Sequence, residues 1–343
     1  MKRHQNTLYV TTQGAYLAKE GEAVVVRVEK ETKLHVPIHL LGSIVCFGQV
    51  SASPFLLGFC GERGVGVSFL TANGRFLARV QGPTSGNVLL RREQYRRADD
   101  DTASAAFARS MVAAKIANSR TVLLRALRDR PQSAGSEALR NAATTLAQHL
   151  SSLPEGLPLD AVRGIEGAAA RAYFEAFDHL VTQQKEHFFF RERSRRPPLD
   201  NLNALLSFLY TLLCHDVEAA LEAVGLDPAV GFLHRDRPGR PSLALDLMEE
   251  LRAYLADRLA LSLINLQQIR PADFKQEESG GVVMESDARK TVLTAYQKRK
   301  QEEIAHPFLG EKTTVGLLPH LQAALLSRHL RGDLDGYPPF FWK

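Results

Sequence analysis

Cysteine is scarce in this chain: three residues among 343, Cys46, Cys60 and Cys214, each alone in an apolar stretch and none in a CxxC pair. That scarcity excludes a disulfide framework and a structural zinc site, both of which need several cysteines at set spacings, and leaves three thiols expected to be buried. Long apolar runs are missing as well. Residues 205–214 form one of the longest, well short of the ~20 residues that span a bilayer, so no membrane segment is expected. The opening Met1-Lys2-Arg3-His4-Gln5-Asn6 leads into alternating apolar sequence, unlike the continuous apolar core of a secretory signal; a cytoplasmic protein is expected. The sequence has no Walker-type glycine loop, no internal repeat and no low-complexity tract. Excess charge is small, with 43 Lys and Arg against 38 Asp and Glu and a formal net charge of +5. Such a balance permits a polyanionic partner without demanding one.

What is present reads as a globular protein of two domains. The length exceeds what one core usually serves, and 45% hydrophobic with 24% charged residues is ordinary for folded chains. Period-two alternation over positions 7–80 predicts strands, for example at 7–10, 23–28, 33–36, 66–70 and 75–80, with a short helix over 53–60. Asn73-Gly74 has the residues a type I′ hairpin turn requires. The segment Gly82-Pro83-Thr84-Ser85-Gly86-Asn87 then punctuates the chain. Beyond it, helical periodicity predicts helices over 98–128, 137–150, 167–180, 202–223, 242–264, 288–303 and 314–330, with a hairpin turning at Gly280-Gly281. The expected fold class is α+β: a small β domain, 1–84, and a larger all-α domain, 85–343.

Three stretches place ionisable groups beside glycine, proline or arginine. In Arg163-Gly164-Ile165-Glu166-Gly167-Ala168-Ala169-Ala170, Glu166 is expected at the opening turn of a helix whose small residues let other backbones approach, pointing into an interior or cleft. The plainer alternative is an acid favoured by the helix dipole. The loop Gly231-Phe232-Leu233-His234-Arg235-Asp236-Arg237-Pro238-Gly239-Arg240 surrounds one histidine with charge, and Ser242 can cap the next helix; a lone loop histidine is otherwise a surface group. Asp246 and Glu249, three positions apart, share a helical face with Glu250 nearby. Apolar neighbours crowd these acids, so they need protonation, cationic partners or a metal. Carboxylate oxygens with one imidazole nitrogen suit magnesium or manganese better than zinc, and such a metal activates phosphodiesters. Residues 185–196 carry Lys185, Arg191, Arg193, Arg195 and Arg196 against two acids, and Arg235, Arg237 and Arg240 stand beside His234. With Arg163, these arginines are the candidate phosphate contacts; the alternative is a solvated basic surface. Phe188, Phe189 and Phe190 are expected as core anchors.

Four ordered strings resemble the CRISPR-associated adaptation integrase family, the large metal-dependent subunit of the spacer-acquisition complex. They are Gly-Ile-Glu-Gly-Ala-Ala-Ala-Arg-Ala-Tyr-Phe from Gly164, Arg-Arg-Pro-Pro-Leu-Asp-Asn-Leu-Asn-Ala-Leu-Leu-Ser-Phe from Arg195, Val-Gly-Leu-Asp-Pro-Ala-Val-Gly-Phe-Leu-His from Val224, and Gly-Arg-Pro-Ser-Leu-Ala-Leu-Asp-Leu-Met-Glu-Glu-Leu-Arg from Gly239. The resemblance spans essentially the whole chain. It implies a β domain that mediates homodimerisation and a helical domain holding one divalent metal, magnesium or manganese, through Glu166, His234 and Glu249, with Asp246 as a supporting acid. It further implies a complex with a small CRISPR-associated companion subunit, holding a double-stranded DNA fragment whose 3′-hydroxyl attacks the CRISPR repeat. The tail Tyr337-Pro338-Pro339-Phe340-Phe341-Trp342-Lys343 has a composition suited to docking on another surface. Two other readings compete, a non-catalytic nucleic-acid scaffold and a plain metal nuclease that cuts without joining.

Overall fold

Alternating apolar residues at the start of the chain form strands β1 (Asn6–Val10), β2 (Tyr16–Glu20), β3 (Ala23–Val28), β4 (Glu31–Pro37), β5 (Leu41–Phe47) and β6 (Ser51–Ala52). Helix α1 (Pro54–Glu62) and strands β7 (Gly66–Leu70) and β8 (Phe76–Val80) follow. The computed structural model describes residues 6–72, 74, 76–80, 82 and 88–342; Asn73 of the expected hairpin turn and residues 83–87 of the expected linker lie outside them. Two four-stranded sheets result, in the orders β1-β5-β7-β8 and β4-β3-β2-β6. The hairpins pair antiparallel, as local alternation predicts, whereas β1 with β5 and β5 with β7 pair parallel. Parallel neighbours need a crossover connection, and the chain between β5 and β7 contains α1. That helix starts because the Ser53 side chain accepts the Leu56 N–H at 3.2 Å and Pro54 occupies the first turn. Leu17, Val24, Ile44 and Val67 of the strands pack with Leu56, Phe59 and Cys60 of α1 into one core. Burial pushes the Cys46 and Cys60 thiols up to about 12 and about 11. Cys214, expected to be buried with them, is only half-buried.

Contacts divide the chain into two units, one of Met1–Gly86 with Leu293–Glu302 and Thr314–Leu317, the other of Asn87–Val292 with Glu303–Thr313 and Leu318–Lys343. Two late segments thus complete the first unit. Within it, Gln297 Nε2 donates to the Thr7 carbonyl at 2.7 Å and Lys300 Nζ to Thr7 Oγ at 3.2 Å.

The second unit holds α2 (Val88–Asp99), α3 (Asp101–Asp129), α4 (Ser136–Ser151), α5 (Leu159–Glu175), α6 (Asn201–Ala223), α7 (Ser242–Leu251) and α8 (Arg258–Asn265). A hairpin of β9 (Phe274–Gln276) and β10 (Val282–Met284) precedes α9 (Ser286–Gln301), then β11 (Glu303–Ala305), β12 (Lys312–Thr314) and α10 (Leu318–Leu330). The stretch expected as one helix over 98–128 breaks at Asp100, whose carboxylate accepts the Thr102 and Ala103 N–H groups at 2.8 and 3.2 Å and restarts it as α3. Length and composition would let α6 cross a membrane. Most of it is buried instead, with Leu202, Leu205, Leu206, Leu209 and Leu213 fully enclosed in the helical core. Phe188 and Phe190 are core residues and Phe189 is half-buried. The aromatic tail is not offered to another surface: Tyr337, Phe340 and Trp342 are buried within their own unit.

Two departures matter for the site. Helix α5 begins after Pro158, not at 167, because Leu159, Val162, Ala169 and Tyr173 bury a continuous stripe that outweighs the helix-weakening Gly164 and Gly167. Glu166 therefore sits about two turns into the helix, beyond the reach of the N-terminal dipole. The expected close backbone approach is also absent there, since nothing lies within 4 Å of where a Cβ would stand on Gly164 or Gly167. The helix expected over 242–264 is instead α7, a wider π turn over Arg252–Asp257, and α8. The π turn carries Asp257, which is buried and accepts the hydroxyls of Tyr210 at 2.6 Å and Tyr173 at 3.1 Å.

Burial raises Asp257 from its ordinary 3.8 to about 6, against the opposing hydrogen bond from Tyr210 and the charge of Arg252. A folded-state value above the unfolded one favours the protonated form in the fold, so this stability is full below about 3.8 and is lost as pH rises through about 6. Asp257→Asn is expected to flatten stability against pH across that window in urea denaturation. An unchanged slope would contradict the assignment.

Candidate active site

Helices α3, α5 and α7 pack together, and each contributes one charged side chain to a common point. Lys115 of α3 donates from Nζ to Glu166 Oε1 of α5 and stands 2.8 Å from Glu249 Oε2 of α7. The other oxygen of Glu249 pairs with Arg252 at 2.9 Å. Glu249 is 3% exposed and Glu166 26%, so one carboxylate is enclosed and its neighbour opens toward solvent. Burial alone would raise Glu249, but Arg252, Lys115 and His234 together outweigh it and hold the carboxyl down at about 2. Glu249 is thus ionised at neutral pH. Its Oε2 nevertheless accepts no aligned hydrogen bond among the described residues; the nearby ammonium meets it as a charge rather than along a lone pair. A buried anionic oxygen with open coordination is a demand for a cation.

The histidine is presented by a loop folded around Asp246. This carboxylate is fully buried. Its Oδ2 accepts the Phe232 and Leu233 N–H groups at 2.6 and 2.9 Å, and its Oδ1 accepts the His234 N–H at 2.9 Å and the ring Nδ1 at 2.6 Å. With a carboxylate accepting at Nδ1, the proton resides there and Nε2 keeps its lone pair. Asp246 and Glu249, one turn apart on α7, therefore divide the work: Glu249 faces the shared cation and Asp246 orients the histidine. Gly231 is required here, because a Cβ would stand 2.7 Å from Asp246 Oδ2 and 2.8 Å from the Ser242 backbone. Arg163 steadies the loop from α5, donating from Nε to the Leu233 carbonyl at 2.7 Å while pairing with Asp160 at 2.9 Å. Ser242 does not cap α7. Its hydroxyl donates to the Arg235 carbonyl at 3.3 Å, and the Pro228 carbonyl takes the Leu243 and Ala244 N–H groups instead. Glu250 belongs to a separate buried network behind the helix.

His234, Arg163 and Arg235 line an open groove of about 930 Å³ with Arg109, Asp101, Glu155, Asp160 and Asp236. Of the candidate phosphate contacts, Arg191, Arg195, Arg196, Arg235 and Arg237 are exposed and Arg240 is half-buried. Arg191 lies over the Phe189 ring and Arg235 pairs with Asp160 at 3.2 Å. Arg193 is not a free surface cation: it donates to Asn203 Oδ1 at 2.7 Å and Ser207 Oγ at 3.0 Å and lies over the Tyr210 ring. Sequence reasoning missed Lys115 and Arg252. The one available signal for Lys115 is its isolation as a single charge within Met111-Val112-Ala113-Ala114-Lys115-Ile116-Ala117. Among the described residues, no three His, Cys, Asp or Glu side chains already stand as a metal-holding group. The two glutamates meet at the lysine ammonium, and the imidazole is engaged through Nδ1 alone.

The family model described as CRISPR associated protein Cas1 matches residues 8–298. The chain is 58% identical over 343 residues to the CRISPR-associated endonuclease Cas1 1 of Chlorobaculum tepidum, covering 100% of both. Among solved structures, it resembles a chain of a Cas6-RT-Cas1–Cas2 complex with a TM-score of 0.83 and 23% identity, over 99% of this chain and 36% of that one. It resembles a casposase bound to integration product with a TM-score of 0.82 and 22% identity, over 99% of this chain and 95% of that one. At those identities the structural likeness establishes the fold, while the family model and the identity to curated relatives establish descent: the chain belongs to the Cas1 family of CRISPR-associated proteins.

Proposed function

We propose that the chain is a divalent-metal-dependent DNA endonuclease and integrase that inserts short foreign DNA fragments into a CRISPR array, a fragment 3′-hydroxyl attacking a repeat phosphodiester. The observation that carries this reading is the convergence of Glu166 and Glu249 on one cation beside a histidine whose tautomer is set by a buried aspartate. Glu166, Glu249 and His234 Nε2 would hold magnesium or manganese, a donor set of oxygens with one nitrogen that suits either ion. The open coordination of Glu249 Oε2 fits that role. Bound there, the metal would polarise a phosphate oxygen and lower the pKa of the attacking hydroxyl.

The chain's own residues prepare the site in three ways. Lys115 stands between the carboxylates and offsets their repulsion, so the ligands are preassembled before any ion arrives. Asp246 keeps Nε2 unprotonated and aimed, and Arg252 holds the second oxygen of Glu249. The outer face of α5 at Gly164, Gly167 and Ala168 is exposed and without bulk, which leaves room for a phosphodiester backbone to come close to Glu166. Arg191, Arg195, Arg196, Arg235, Arg237 and Arg240 supply phosphate contacts, each releasing counterions and making affinity salt-dependent. Arg193 acts behind that surface as a strut. Residues 1–84 would serve homodimerisation and 85–343 catalysis, in the cytoplasm. The Cas1–Cas2 assembly and the integration product named for proteins of this fold support a small companion subunit and strand joining over cutting alone.

Glu166→Ala or His234→Ala is expected to abolish strand transfer into a supercoiled repeat-bearing plasmid while DNA binding stays nearly intact; equal activity in the variants rules the site out. Asp246→Asn, which frees the histidine tautomer, should lower single-turnover cleavage by about 10–100-fold, the usual cost of losing an outer partner of a metal ligand. Lys115→Met should lower the melting temperature of the metal-free protein and enlarge the rise produced by added manganese. A smaller rise than in the parent protein would show that Lys115 does not stand in for the ion.

A further inference from the structure

The chain's last residues are wired into the two helices that present the active-site charges. On α3, Asn118 lies one turn beyond Lys115 and is fully buried. Its Nδ2 donates to the Glu250 carbonyl at 2.7 Å and to the Phe340 carbonyl at 2.8 Å, and its Oδ1 accepts the Trp342 N–H at 2.8 Å. On α7, Glu250 follows Glu249 directly and is also fully buried. Its carboxylate accepts the Phe340 N–H at 2.8 Å, the Tyr337 hydroxyl at 2.7 Å and Gln322 Nε2 of α10 at 2.8 Å. The Trp342 ring lies against the guanidinium groups of Arg125 on α3, 4.1 Å away, and Arg258 on α8, 4.4 Å away, and it tilts against Tyr254 at 5.0 Å.

We infer that the segment from Tyr337 to Trp342 is a positioning strap for the metal site, fastening α3 to α7 so that Lys115 and Glu249 remain opposite Glu166. The inference rests on the metal-dependent reading of that site. Every link needed is on the far side of the helices from the reacting groups, and the strap touches none of them. Three of its bonds use tail backbone, at the Phe340 N–H, the Phe340 carbonyl and the Trp342 N–H. The strap therefore depends on the path and length of the tail more than on most of its side chains. Without it, Asn118 and Glu250 are buried polar groups lacking partners, a state that costs enough to shift the two helices rather than persist. A displacement of that kind is felt most by an ion that needs ligands from three helices and loops at once.

The test compares the full chain with Tyr337→Phe, Trp342→Ala and a chain ending at Gly336, in the presence of manganese and a DNA fragment. Trp342→Ala and the shortened chain should bind manganese about tenfold or more weakly, the range expected when outer partners of a metal site are lost. kcat should fall with KM for DNA unchanged, a split that a general loss of folded protein would not give. A synthetic peptide of the missing segment, added to the shortened chain, should restore manganese binding saturably. A folded shortened chain with parental manganese affinity and kcat overturns the inference. If the shortened chain does not fold, Tyr337→Phe decides: it removes only the hydroxyl on Glu250, and unchanged manganese affinity in that variant counts against the strap. Hydrogen exchange around Asn118 and Glu250, measured without metal, should rise in the tail variants; with that rise and an active Glu166→Ala protein, the metal reading fails and the strap stands.

Discussion

Two carboxylates cannot be brought together in a poorly hydrated place unless a positive charge is brought with them, and the helical unit is organised around that constraint. Glu249 is enclosed, Glu166 is its neighbour across the helix interface, and Lys115 and Arg252 supply the compensating charges from α3 and from the turn after α7. The π turn makes that arrangement possible. It lets Arg252 point back to Glu249 while Asp257, at the turn's other end, points to Tyr173 and Tyr210. A regular helix would place these groups at different angles, and π turns recur where function needs such an adjustment.

The histidine loop answers a different demand. Four donors meet one carboxylate, Asp246, which turns a loop of irregular backbone into a rigid presentation surface. Rigidity of this kind matters where ligand geometry must be held within a fraction of an ångström. Gly231 lets the loop pass close enough to α7, and Arg163 ties the same loop to the helix that carries Glu166. The motif around residues 231–234 and the motif around 163–166 are thus parts of one construction, joined through the Leu233 carbonyl.

Much of this was legible in the sequence, and the parts that were not share a cause. Strand alternation before residue 80, the hairpin at Gly280 and the helices beyond 88 are local patterns, and local patterns are visible in a string of residues. The family resemblance nominated Glu166, His234, Asp246 and Glu249, but neither it nor the spacing distinguished Asp246 as the histidine's partner from Glu249 as the shared-cation acid. That distinction depends on which way each side chain turns within a packed interior. Lys115 lies 51 positions before Glu166, so no window of sequence relates them. Arg193 read as one more member of a basic run because its partners Asn203, Ser207 and Tyr210 sit a helix away. The start of α5 was misplaced since Gly164 and Gly167 look like helix breakers, whereas the packing of Leu159 and Val162 carries the helix through them.

The first unit has one more consequence built into its connectivity. Thr7 on its opening strand meets Lys300 from a segment 293 positions later, so the β unit lacks a piece of its own interior until nearly the entire polypeptide has left the ribosome. Contacts that close so large a loop form slowly and late. The nascent β sheets must wait, through synthesis of the whole helical unit, for the α9 end and the 314–317 turn to arrive, and the order of assembly is helical unit first although the sheets are made first.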